Sequence, residues 1–230
     1  MARLPRLTLP GHPHHLIQRA AGGQPVFLAA PDFEAMHAAL VEEARLHGVA
    51  VHAYVLLPTA MHLLATPGTA ESLGRLMQGV GRRYARFLNA RSGRSGALWE
   101  GRYRGAALQA QAYLLDAMSL LDRLPVRAGL APSPAEWPWS SHGHYVGQRS
   151  DRLVSPHSLW WQLGNTPFAR EMAYAQRVEA GLPAQKEQAL LDSALYGWVL
   201  GDEAFLQALQ ARSPRPLVRG QPGRPRTTVG

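Results

Sequence analysis

With no cysteine in its 230 residues, the chain has no thiolate nucleophile, thiolate zinc site or disulfide framework. Any chemistry must come from histidine, carboxylate or tyrosine. His12, His14 and His15 cluster near the start, and His142 and His144 stand two residues apart. Spacing alone permits metal ligation at either place; a structural role in local hydrogen bonds is the simpler reading. Asp116, Asp122 and Glu100 form no paired arrangement around a common cleft, which argues against a carboxylate-based hydrolase. His62 stands in the apolar run Ala60-Met61-His62-Leu63-Leu64, where a locally hydrogen-bonded strand histidine is the plainest reading.

Binding chemistry is better represented. The formal net charge is +8 with a pI near 10.5. Of the 24 basic residues only Lys186 is lysine. Arginine suits bidentate phosphate contact and stacking on bases, so the balance points to nucleic acid. A surface kept soluble by charge is the alternative. The length fits one domain and an appendage, and 46% hydrophobic residues suffice for a core.

The elements that must position these residues follow from periodicity. Residues 14–19 read as a short strand. Pro31-Asp32 opens a helix with Phe33, Met36, Leu40, Val41 and Ala44 on one face. Residues 49–57 read as a buried strand, Pro58-Thr59 as a turn and 61–66 as a strand pairing back on it. Thr69 or Ser72 can cap the next helix. There Leu73, Leu76, Met77, Val80, Tyr84 and Phe87 form the apolar stripe, and Arg75, Arg82, Arg83, Arg86 and Arg91 lie largely off it. Residues 99–108 read as a strand and 110–123 as a helix stopped by Pro125. The resulting β-α-β-β-α-β-α order predicts an α+β fold, an antiparallel sheet with packed helices.

Four segments, taken together, resemble the REP-associated branch of the single-tyrosine HUH transposases. They are the start from Ala2-Arg3 through Pro10-Gly11 to His15 and Arg19; His52-Ala53-Tyr54 with the strand from Pro58 to Leu64; Gly81-Arg82-Arg83-Tyr84 through Phe87-Leu88-Asn89 and Gly96 to Gly101-Arg102-Tyr103; and Pro125-Val126-Arg127-Ala128-Gly129-Leu130 with Trp137-Pro138-Trp139-Ser140-Ser141. The match covers roughly residues 2–147. It implies an HUH, ferredoxin-like transposase core over 1–147.

In that family a tyrosine hydroxyl attacks a DNA phosphodiester and leaves a covalent phosphotyrosine. A divalent metal, held by two strand histidines and a polar side chain one helical turn beyond the tyrosine, polarises the phosphate. Carried over residue by residue, the tyrosine position is Leu120, the polar ligand Leu124 and the first histidine Ala60, so only His62 remains. The resemblance therefore implies a binding scaffold that has lost strand cleavage, with no cofactor expected (Mg or Mn if active). Tyr113 is the one substitute tyrosine on that helix face. The family recognises hairpins on single-stranded DNA. By resemblance, Arg82, Arg83, Arg86, Arg91, Arg94, Arg102 and Arg104 are candidates for phosphates, and Trp99 or Tyr103 for stacking on an unpaired base.

Residues 148–212 read as a helical module of short helices. Residues 213–230 read as a disordered basic tail, in which Gly223-Arg224-Pro225-Arg226 resembles a minor-groove hook. No signal peptide and no bilayer-length apolar run is legible, so a cytoplasmic protein with DNA as partner is expected. A homodimer is left open. Two other functions stand beside the main one: an active transposase with a relocated nucleophile, and a regulatory scaffold that binds a protein partner.

Overall fold

The computed structural model describes residues 6–92, 96–211, 213 and 215–219. Four strands, β1 (His14–Arg19), β2 (Val49–Leu57), β3 (Ala60–Pro67) and β4 (Arg104–Ala107), form one antiparallel sheet in the order β2-β3-β1-β4. Helix α1 (Ala30–Leu46) joins β1 to β2, α2 (Ser72–Ser92) joins β3 to β4, and α3 (Ala110–Arg127) follows β4. This is the predicted order. β2 and β3 are buried along nearly their whole length, as continuous apolar runs require when helices cover both faces. α1 and α2 pack together, with α1 against β2, while α3 packs on β2 and β3.

Local signals fix the helix ends. Asp32 Oδ2 accepts the backbone N–H groups of Leu28 and Ala29 at 2.8 and 2.9 Å, and Pro31 occupies the first turn of α1. At α2 the Thr69 N–H donates to Ser72 Oγ at 3.1 Å. Two expectations are corrected. Pro125 does not stop α3, which runs on to Arg127. The stop comes at Gly129 (φ +67°), where Leu130 N–H donates to the Pro125 carbonyl and Gly129 N–H to that of Val126. Only glycine takes this left-handed C-cap easily; Pro125, near the helix end, removes a single ladder bond. The expected strand over 99–108 is also shorter. Gly101 (φ +65°) turns the chain out of the ladder, leaving a lone Ala20–Trp99 bridge before β4.

Beyond α3 come α4 (His142–Tyr145), α5 (Ser158–Trp161), α6 (Pro167–Ala180), α7 (Ala184–Tyr196) and α8 (Glu203–Gln210). α5 and α6 pack on α3, and α7 on β1 and β4. Tyr145, Trp160, Tyr174, Val178 and Leu190 join the same buried cluster as the sheet. The buried cluster thus continues past residue 147. Leu217 is 1% exposed, in a small second cluster with Ala107, Val199 and Leu209, and its carbonyl accepts the Val199 N–H at 2.8 Å. Residues 215–219 are thus packed, and the rest of the tail, with Arg224 and Arg226, lies outside the described residues.

Both sheet edges are occupied. Along β2, Leu56 N–H donates to the Trp139 carbonyl and Ser155 N–H to that of Val51. Along β4, Leu200 N–H donates to the Ala107 carbonyl. The later segments thus protect edges that would otherwise template aggregation. β4 lies close enough to β1 that a Cβ on Gly105 would stand 2.6 Å from Leu16 Cδ2 and 2.9 Å from the His15 carbonyl oxygen. Gly105→Ala is expected to cost about 1–3 kcal/mol and to lower the melting temperature by several degrees; an unchanged thermal midpoint would refute the packing described for β4.

Candidate nucleic-acid interface

Helix α2 buries Leu73, Leu76, Val80, Tyr84 and Leu88. Leu88 goes deeper than the expected Phe87, which is half-buried. The opposite side carries Arg75, Arg82 and Arg86, all exposed and without an ion pair among the described residues. Offsets of seven and eleven residues from Arg75 place the three on one stripe, about 16 Å long at 1.5 Å per residue.

The other expected phosphate contacts divide. Arg83 pairs with the carboxylates of Glu42 and Glu43, and Arg91 Nη1 donates to the buried Asp32 at 2.5 Å. Both hold α2 on α1. Arg102 and Arg104 are exposed, with Glu100 3.9 Å from Arg104. Arg94 lies outside the described residues. The two aromatic candidates are partly or wholly enclosed. Tyr103 is buried, with the Arg6 guanidinium 3.9 Å above its ring and donating to its carbonyl. Trp99 is half-buried among Phe27 and Tyr84. Tyr103 therefore offers no free ring face to a base. The Tyr84 hydroxyl donates to the Val26 carbonyl inside the core.

His62 lies buried on β3. Its Nδ1 is 3.0 Å from Nε2 of His15 on β1, so one imidazole donates and the other accepts. The register sets this contact, because Ile17 faces His62 and His15 faces Leu64 on the same side of the pairing. Burial pushes His15 down to about 4, against a partial rise from the Leu190 backbone. Burial, then the neighbouring His15 and Arg19, hold His62 well below the usual imidazole range.

No protein-family model and no curated protein matches the sequence. Solved structures do. One is a REP-associated tyrosine transposase bound to a REP hairpin, 18% identical, covering 64% of this chain and 87% of its own, with a TM-score of 0.54. The fold is that of a REP-associated tyrosine transposase. A provisionally named transposase of Deinococcus radiodurans R1 also aligns, at 17% identity over 49% of this chain and 91% of its own, with a TM-score of 0.36.

Within this transposase fold, three of the four positions assigned by resemblance to chemistry carry no donor group. Leu120 is fully buried in the core cluster, Leu124 is packed against it, and Ala60 carries only a methyl. His62 has one ring nitrogen occupied by His15. This donor set does not fit a divalent cation. Tyr113 is half-buried at the start of α3, with Lys186 Nζ 5.8 Å from its ring centroid.

Several other histidines and carboxylates serve the fold. His14 Nδ1 donates to the His12 carbonyl at 2.8 Å, and its Nε2 accepts the Leu9 N–H. His52, the extra residue of a bulge in β2, bridges Ser155 and Thr66 at 2.8 Å each. His142 Nδ1 donates to Asp122, which also accepts the Tyr174 hydroxyl. His144 accepts the Asp151 N–H. Asp116 is met by Arg177 and Lys186. Among the described residues no group of three or more His, Asp or Glu could hold a metal ion, and no helix is long and apolar enough to cross a membrane. The pairings at Asp116 and Asp122, and that of His52 with Ser155, join residues 20 or more positions apart, and no local pattern in the sequence signals them.

Burial pushes His14 and His52, like His15, down to about 4. The unfolded chain binds protons at these rings from about pH 6.5 downward, and the folded chain only near pH 4. Stability is therefore complete above pH 6.5 and is lost as the pH falls toward 4. Melting temperatures measured across that window should drop steeply. The double variant His15→Leu, His62→Leu should decline less steeply; an identical slope would contradict this assignment.

Proposed function

We propose that the chain is a transposase-like DNA-binding protein that recognises a hairpin or single strand and leaves it uncut. The observation that carries this is the exposed, ion-pair-free row Arg75, Arg82 and Arg86 on α2, on a fold shared with a transposase whose structure holds a REP hairpin. Three arginines spaced along about 16 Å of helix can each neutralise a phosphate and release counterions. Arg102 and Arg104 extend the basic surface from β4, and Arg224 and Arg226 would add minor-groove contacts from the tail. Binding of this kind needs no metal.

Cleavage needs a hydroxyl placed against the phosphate. Leu120 supplies none and is fully buried. One observation favours a second reading, an active enzyme with a relocated nucleophile: Tyr113 keeps partial exposure beside the Lys186 ammonium.

The test is fluorescence anisotropy with a labelled DNA hairpin and a scrambled linear strand, in EDTA, over a salt series. The intact chain should prefer the hairpin. The double variant Arg82→Gln, Arg86→Gln should bind about tenfold or more weakly at low salt, with its log–log salt slope shallower by about 2. Equal affinity for both strands, or an unchanged slope in the variant, would overturn the reading and favour a protein-binding role.

A further inference from the structure

On the other side of α1 from its contact with α2, a cavity of about 590 Å³ opens between α1 and the 149–152 loop. This is the size range of small-ligand sites. Its aromatic wall is Trp139. One indole face of Trp139 is stacked on Phe33, with ring centroids 4.8 Å apart and planes within 11°, so the ring is held rigid with its other face available. Val41 and Ala38 give an apolar floor.

The rim carries two arginines. Arg149 is anchored through Nη2 to the Ser140 carbonyl at 2.5 Å. Arg152 is exposed and makes no ion pair among the described residues. The nearby Asp151 is buried and ionised, and it forms no ion pair with either arginine among the described residues. Its Oδ1 accepts from His37 Nε2 at 2.8 Å and from Leu153 N at 2.9 Å, and its Oδ2 from the Tyr54 hydroxyl at 2.5 Å. Burial alone would raise this carboxyl, yet the three donors outweigh it and hold the group near 2. The loop is thereby fixed to α1 and β2, and the arginines next to Asp151 are placed at the cavity mouth. On the α1 wall, Glu42 is matched by Arg83 at 2.7 Å. Glu34 has no ion pair among the described residues and can accept from an exocyclic amino group.

We propose that this cavity binds a nucleoside monophosphate unit, its base against Trp139 and its phosphate on Arg149 and Arg152. A flat aromatic wall takes any base by stacking, and a guanidinium pair gives charge-assisted bonds to phosphate oxygens. The unit can be a free nucleotide or the 5′-phosphorylated end of a strand. The site lies apart from the α2 arginine row and does not depend on hairpin recognition there.

Isothermal titration of the full chain with deoxyadenosine 5′-monophosphate, deoxyadenosine and inorganic phosphate tests it. The monophosphate should bind, with deoxyadenosine and phosphate each about tenfold or more weaker. Arg152→Gln, at an exposed position, should weaken the monophosphate about tenfold and leave the thermal midpoint unchanged. Arg82→Gln, Arg86→Gln should keep nucleotide affinity. A 5′-phosphorylated oligonucleotide that binds more tightly than its 5′-hydroxyl twin and than the free nucleotide assigns the site to strand ends; preference for the free nucleotide assigns it to the mononucleotide. No binding of deoxyadenosine monophosphate at millimolar concentration, or equal binding by Arg152→Gln, would overturn the proposal.

Discussion

Two carboxylates, Asp116 and Asp122, sit on α3 inside the protein at 2% and 0% exposure. Removing a carboxylate from water costs several kcal/mol unless charged or hydrogen-bonding groups meet it. Arg177 from α6 and Lys186 from α7 meet Asp116; His142 from α4 and Tyr174 from α6 meet Asp122. Helices α4, α6 and α7 are thereby tied to one helix. The same packing buries α3 at every position from Asp116 to Asp122, which leaves Leu120 facing protein rather than solvent. Leu120 thus presents neither a hydroxyl nor exposed surface to a phosphate.

The arginines divide by the same rule. A carboxylate at the α1–α2 contact is nearly buried in both Glu43 (5% exposed) and Asp32 (1%), and each draws an arginine from α2, Arg83 and Arg91. Arg75, Arg82 and Arg86 lie on the remaining side, where α1 presents no acid to them, and stay open to a phosphate. Helical phase on α2 thus separates structural from available charge, with Arg82 on one side of the division and its neighbour Arg83 on the other.

Most of the fold was legible in the sequence. β2 and β3 stood out as long apolar runs joined by Pro58-Thr59, and α1 and α2 announced themselves by period and caps. Failures came where one residue's backbone freedom outranked the pattern: Gly101 cut the strand expected from Trp99, and Gly129 rather than Pro125 ended α3. The site was legible only in part. The family resemblance marked Ala60, Leu120 and Leu124 as positions without donors. Which arginines were already paired, that Tyr103 lay under Arg6, and that His37, Tyr54 and Asp151 converge on one cavity depend on contacts across 30 to more than 100 residues, and no local period encodes those.

The central claim is that a strand-cleaving fold here holds DNA without cutting it. The most direct measurement is incubation with a labelled single-stranded hairpin in Mn²⁺, resolved in parallel on native and denaturing gels. The account predicts a shifted complex on the native gel and only intact, protein-free DNA on the denaturing one. A labelled band that survives denaturation and maps by mass spectrometry to a tyrosine, Tyr113 first among them, would contradict it.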